Sequence, residues 1–111
     1  MYKILLVEDD MALHYVYKKM KIWSENDFCI RKIASNGKEA LEMLENDEFD
    51  MVVTDIRMPV LDGIGLLKKM SEKKIDIYTI ILSSYDEFEY ARQAIEVGVD
   101  QYLLKPVTRM K

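Results

Sequence analysis

The sequence predicts an α/β domain: a doubly wound parallel sheet of five strands, with helices on both faces. Short apolar runs alternate along the chain with amphipathic stretches of helical period. The runs themselves lack the strict polar alternation of a half-exposed sheet, as expected of strands buried on both faces. The 111 residues suffice for one core and not for two.

The elements follow in order. Ile4 to Val7 form the first strand. Leu13, Val16, Tyr17 and Met20 then make a helical stripe, with Lys18, Lys19 and Lys21 largely on its other side. A weaker strand spans Phe28 to Ala34, its apolar character supplied by Phe28, Ile30 and Ile33. Ser35-Asn36-Gly37 is a turn and capping signal opening the helix of Ala40, Met43 and Leu44. Met51 to Val53 form the third strand, and after the break at Pro59 and Gly63 a short helix carries Ile64, Leu67 and Met70. Ile77 to Leu82 form the fourth strand, Phe88, Ala91, Ala94 and Ile95 a further helical stripe, and Tyr102 to Leu104 the fifth strand. Right-handed crossovers between such strands distribute the helices over the two faces. Only Val107 to Lys111 continue past Pro106, where a fifth covering helix is expected, so the chain is expected to be cut near its natural end and to be one part of a longer protein.

Composition narrows the class. The formal charge of −4 and pI near 5.0 argue against direct nucleic-acid binding by this segment. Cys29 stands alone, so no internal disulfide forms and a reducing compartment is expected. No apolar run reaches the roughly 18–20 residues that span a bilayer, and Met1 to Val7 do not have the pattern of a signal peptide. A cytoplasmic domain without membrane contact is the expectation.

In open parallel sheets ligands bind beyond the carboxyl ends of the strands. There this sequence places Glu8-Asp9-Asp10 after the first strand, Asp55 after the third, Ser83-Ser84 after the fourth and Lys105-Pro106 after the fifth. Carboxylates crowded into one crevice repel one another unless a cation is present, and an all-oxygen donor set suits Mg²⁺. A lysine supplies a point charge for phosphate, a serine a hydrogen bond, and a carboxylate can act as a nucleophile to form an acyl phosphate. Taken singly, each group has an ordinary structural explanation: a strand-end Asp as a loop or cap residue, an acidic triplet as a helix start, Lys-Pro as a turn.

Together these residues resemble the receiver domains of bacterial two-component response regulators. The resemblance is carried by Ile4-Leu5-Leu6-Val7-Glu8-Asp9-Asp10, by Val53-Thr54-Asp55-Ile56-Arg57-Met58-Pro59-Val60-Leu61-Asp62-Gly63, by Ile81-Leu82-Ser83 and by Tyr102-Leu103-Leu104-Lys105-Pro106, and covers essentially the whole chain. It implies a flavodoxin-like sheet of strand order 2-1-3-4-5, Asp55 as phosphoacceptor, and Mg²⁺ held by Glu8, Asp9, Asp55 and the backbone carbonyl of Arg57. It gives Asp10 no ligand role. Ser83 would be the hydroxyl that shifts on activation, Lys105 the contact to the phosphoryl oxygens through a cis Lys105-Pro106 peptide, and Tyr102 an aromatic switch or simply a half-exposed strand tyrosine.

The same resemblance implies a sensor histidine kinase as donor, a covalently linked output domain, and phosphorylation-dependent dimerisation that loss of the last helix would impair. The activity would be Mg²⁺-dependent self-phosphorylation and self-dephosphorylation rather than metabolic catalysis. Ser84-Tyr85-Asp86-Glu87-Phe88-Glu89-Tyr90-Ala91 further resembles receivers joined to AraC-type (YesN-like) DNA-binding domains that control transcription. Arg57 and Tyr85 fall where the family tunes phosphate lifetime, and their bulk implies slow dephosphorylation.

Other readings are open. An aspartyl-phosphate phosphatase needs a second Asp where Arg57 stands, and a flavin module needs a Ser/Thr/Gly-rich loop where Glu8-Asp9-Asp10 stand. A degenerate receiver would serve only as a protein-interaction module. His14, Trp23 and Cys29 read as packing or surface residues, and the eight methionines as an adaptable core.

Overall fold

In the computed structural model, the described residues are 2–83, 92–93, 95–96 and 98–104; for Ile22, Ser83 and Tyr102 to Leu104 only the backbone is considered. The element order is β1 (Tyr2–Val7), α1 (Met11–Lys19), α2 (Lys21–Glu25), β2 (Phe28–Ala34), α3 (Gly37–Asn46), β3 (Met51–Asp55), α4 (Gly63–Glu72), β4 (Tyr78–Ser83) and β5 (Gln101–Leu104). All five strands are parallel, in the order β2-β1-β3-β4-β5, so the doubly wound, flavodoxin-like fold expected from the sequence is the fold observed. No helix among the described residues is long and apolar enough to cross a membrane.

Each central strand sends alternate side chains to two cores. Leu5, Val7 and Val52 join Ala40 of α3 and Ile64, Leu66, Leu67 and Met70 of α4 on one face. Ile4, Leu6, Met51 and Val53 join Tyr17 of α1 on the other, with Leu13, Met20 and Trp23 packed against them. Fully burying an aliphatic side chain stabilises by about 1.5–3 kcal/mol, so these two layers hold the sheet between its helices. A salt bridge of 3.0 Å between Lys73 and Glu45 ties α4 to α3 at the surface.

The helix starts obey local chemistry. The Asn36 side chain accepts from the Glu39 N–H at 2.8 Å, while the Glu39 carboxylate accepts from the Ser35 N–H at 2.9 Å, a near-reciprocal cap on α3. Asp62 caps α4 by accepting from the Gly65 N–H at 2.8 Å.

Three expectations are corrected. The first helical stripe does not run unbroken to Met20: the chain extends there, at φ −67° and ψ 127°, and restarts as α2. The Trp23 indole N–H fills the break by donating to the Tyr17 carbonyl at 2.6 Å. Val16, counted within the apolar stripe, is exposed, because α1 turns Tyr17 and Leu13 inward instead. In the stripe after β4, Ile95 is also exposed, while Phe88, Ala91 and Ala94 lie outside the described residues.

Two clasps close the amino-terminal rim of the sheet. The Asp50 N–H donates to the Lys3 carbonyl at 2.8 Å, and the Lys3 N–H donates to the Asp50 carboxylate at 2.7 Å. The Asp100 N–H donates to the Thr79 carbonyl at 3.1 Å, and the Thr79 N–H donates to the Asp100 carboxylate at 2.8 Å.

Candidate functional site

The opposite rim, at the carboxyl ends of the strands, gathers the acidic residues. Val7 is in register with Thr54, which carries Glu8 past the end of β1 beside Asp55 at the end of β3. Glu8, Asp9 and Asp55 each bring a carboxylate oxygen to within 4.8 Å of the others. Glu8 is 1% exposed and Asp55 6%, whereas Asp9 faces solvent. The cluster is thus a half-enclosed acidic mouth rather than a solvated surface.

Its members are held by the backbone around them. The Glu8 N–H donates to the Ala34 carbonyl at 2.9 Å, tying the loop to the end of β2. The Glu8 carboxylate accepts from the Asp10 N–H at 3.3 Å. Asp55 Oδ1 accepts from the Ile56 N–H at 2.9 Å, and the buried Thr54 hydroxyl donates to the Asp55 carbonyl at 2.8 Å. The loop beyond Asp55 is closed by the Gly63 N–H on the Ile56 carbonyl at 2.7 Å and by the Gly37 N–H on the Leu61 carbonyl at 2.8 Å.

Asp10 is separate from its acidic neighbours. It is the N-cap of α1, its side chain accepting from the Ala12 N–H at 2.9 Å. His14, read from sequence as an ordinary packing or surface residue, turns its ring Nε2 onto the Glu8 carbonyl. Only proximity in space reveals that contact, since the spacing of a histidine six residues beyond Glu8 carries no motif.

Of the other expected site residues, Arg57 is exposed in the loop after β3. Ser83 ends β4 in register with Leu104 of β5, and Tyr102 pairs with Ile81. Their side chains, together with Lys105, Pro106 and Tyr85, lie outside the described residues.

The donor set fits a hard divalent cation. Three carboxylates from two strand ends offer only oxygen, are close enough to share one ion, and repel one another without it. Glu8, Asp9 and Asp55 are the residues that would hold Mg²⁺.

The fold is thus an open, doubly wound parallel sheet whose carboxyl rim gathers three carboxylates. The family model for the response regulator receiver domain matches residues 4–111, and the chain belongs to that family, the receiver domains of two-component response regulators. An uncharacterized response regulatory protein of Staphylococcus epidermidis is 40% identical over 96% of this chain, which covers 42% of that protein. The transcriptional regulatory protein YesN of Bacillus subtilis is 39% identical over 96% of this chain, which covers 29% of it. The chain therefore spans less than half of these relatives. Among solved structures, the REC domain of AraT, a response regulator from Geobacillus stearothermophilus, superposes with a TM-score of 0.84 at 35% identity, over 96% of this chain and 83% of that one. A LuxR-family DNA-binding response regulator from Staphylococcus aureus superposes with a TM-score of 0.88 at 27% identity, over 97% of this chain and 89% of that one.

Proposed function

We propose that this receiver takes a phosphoryl group onto Asp55 from a sensor histidine kinase, in a Mg²⁺-dependent reaction, and that the resulting change controls a DNA-binding output domain of AraC type. The observation that carries this reading is the convergence of Glu8, Asp9 and Asp55 carboxylates within 4.8 Å at the carboxyl rim of the sheet. The relatives YesN and HptR, named as transcriptional regulatory proteins, support a transcriptional output.

In the transfer, a carboxylate oxygen of Asp55 attacks phosphorus, the phosphorus–nitrogen bond of the donor phosphohistidine breaks, and its electron pair returns to the imidazole nitrogen. Mg²⁺, when bound, offsets the negative charge on the phosphoryl oxygens. The Ile56 N–H orients the Asp55 carboxylate through Oδ1, and the Thr54 hydroxyl and Gly63 backbone fix the strand end that carries it. Glu8 and Asp9 complete the acidic mouth, and the Arg57 carbonyl is proposed as a further metal ligand. Lys105 and Ser83 are proposed to meet the phosphoryl oxygens, with Tyr102 following Ser83 as the switch. The bulk of Arg57 and Tyr85 is proposed to slow hydrolysis by hindering water. Dimerisation would follow phosphorylation in the longer protein.

The test is intact mass after incubation with acetyl phosphate, with and without Mg²⁺, for wild type and Asp55→Asn. One phosphoryl group gained by wild type only with Mg²⁺, and none by the variant, supports the reading. No gain by folded wild type would leave a degenerate receiver that works through protein contacts alone.

A further inference from the structure

We propose that His14 is a positioning residue for the acidic cluster: its imidazole Nε2–H, donated to the main-chain carbonyl of Glu8, sets the directions in which Glu8 and Asp9 present their carboxylates. The inference rests on the metal-dependent reading above and adds to it a residue from outside the cluster.

The carbonyl concerned belongs to the peptide that joins Glu8 to Asp9. Peptide planes are rigid, so holding this oxygen restrains the whole unit and, with it, rotation about ψ of Glu8 and φ of Asp9. One hydrogen bond thereby steadies the backbone from which two of the three carboxylates project. Glu8 is tied on its other side by its N–H to Ala34, at 2.9 Å. Asp9 is the exposed member of the cluster, on a loop between β1 and α1. His14 is well placed to act on that loop because its own backbone is anchored: it lies in the first turns of α1, and its N–H donates to the Asp10 carbonyl at 3.2 Å. The helix capped by Asp10 is therefore a rigid mount, and the ring reaches back from it across the loop. A carbonyl can only accept, so Nε2 must carry a proton. Partners one shell removed from a metal commonly govern its affinity by such orientation.

The experiment is titration with Mn²⁺, followed by electron paramagnetic resonance, of wild type, His14→Phe and His14→Gln, alongside thermal unfolding of each without metal. His14→Phe, which has no donor, is expected to weaken Mn²⁺ binding about tenfold, while His14→Gln, whose amide places a donor near Nε2, stays within about twofold of wild type. Equal affinity in all three overturns the proposal, as does an equal loss in both variants. A merely structural ring would lower the melting temperature of His14→Phe and leave its Mn²⁺ affinity intact, which also overturns it. Failure of wild type itself to bind Mn²⁺ would sink the metal-dependent reading and this inference with it, a result distinct from the others. Should His14→Phe not fold, nitrogen-resolved NMR of the wild-type ring decides: a protonated Nε2 is expected, and a bare Nε2 overturns the proposal.

Discussion

The α-carbon of Gly63 lies against the backbone carbonyl of Asp55, so closely that a β-carbon there would stand 2.3 Å from the carbonyl oxygen and 3.1 Å from the Ile56 α-carbon. The obstacle is backbone on both counts, so no side chain can swing aside to make room. The absence of a side chain at Gly63 is what lets α4 begin directly beneath the proposed phosphoacceptor. Gly63→Ala is expected to displace the end of β3, to destabilise by about 1–3 kcal/mol as overpacking does, and to slow phosphoryl uptake by Asp55. Urea unfolding and intact mass with acetyl phosphate read the two effects; no change in either would show that the loop yields freely.

The acidic triplet divides by role, and substitution separates the roles. Asp10→Ala removes the N-cap of α1 and is expected to cost about 1 kcal/mol of stability while weakening Mn²⁺ binding far less than loss of a cluster carboxylate. Asp9→Asn is expected to do the reverse, weakening Mn²⁺ binding with little loss of stability, because Asp9 is exposed and belongs to the cluster. Calorimetric titration and denaturant melts of the two variants make the comparison.

Val60 is β-branched, exposed and in the left-handed region at φ 71°. That conformation costs a side-chain-bearing residue about 1–2 kcal/mol, partly offset on replacement by the extra chain entropy of glycine, about 0.5–1 kcal/mol. Val60→Gly is thus expected to stabilise by roughly 0.5–1 kcal/mol, a rise of a few degrees in melting temperature. A fall in melting temperature would mean that the valine side chain makes compensating contacts.

Among the described residues, Asp47 is a local source of acid sensitivity. The Glu48 N–H donates to Asp47 Oδ1 at 2.8 Å, and the Lys32 ammonium stands 3.3 Å from Oδ2; together they hold the Asp47 carboxyl below its usual range. A carboxylate so depressed contributes stability above its unfolded-state pKa of about 4, and that contribution is lost as pH falls through the lower folded value. Between neutral pH and about pH 2.5, wild type is expected to lose more of its urea midpoint than Asp47→Asn, with the two converging at the acid end. Parallel curves would exclude this carboxylate as a contributor.

Much of the fold was legible because strand and helix periods differ so plainly here: Ile4 to Val7 and Met51 to Val53 are too short and too uniformly apolar for anything but buried strands, and all five strands lie where the sequence placed them. The acidic cluster of the candidate site was legible as residue types at strand ends, Glu8, Asp9 and Asp55. What escaped notice depended on distant contacts. Ile30 and Ile33 lie an odd number of residues apart, yet both pack on the α1 face. A register shift between β1 and β2, which pairs Ile4 with Ile30 and Leu5 with Lys32, leaves Arg31 as the extra residue that resets the alternation. The restart at Met20 likewise depends on an indole reaching back to Tyr17, a bond that no local propensity announces. His14 was passed over for the same reason: a ring that meets a backbone carbonyl leaves no pattern in the sequence.

The clasps Lys3–Asp50 and Thr79–Asp100 make the sheet resemble a book bound along one edge. Bound pages do not slip lengthwise past one another; they part only at the open margin, where Glu8, Asp55 and Ser83 lie. A disturbance at that margin would have little leverage on the spine and would pass more readily from one strand end to the next. Hydrogen exchange would then read the two edges as different materials: one that answers to events at Asp55, and one that keeps its protection whatever happens there.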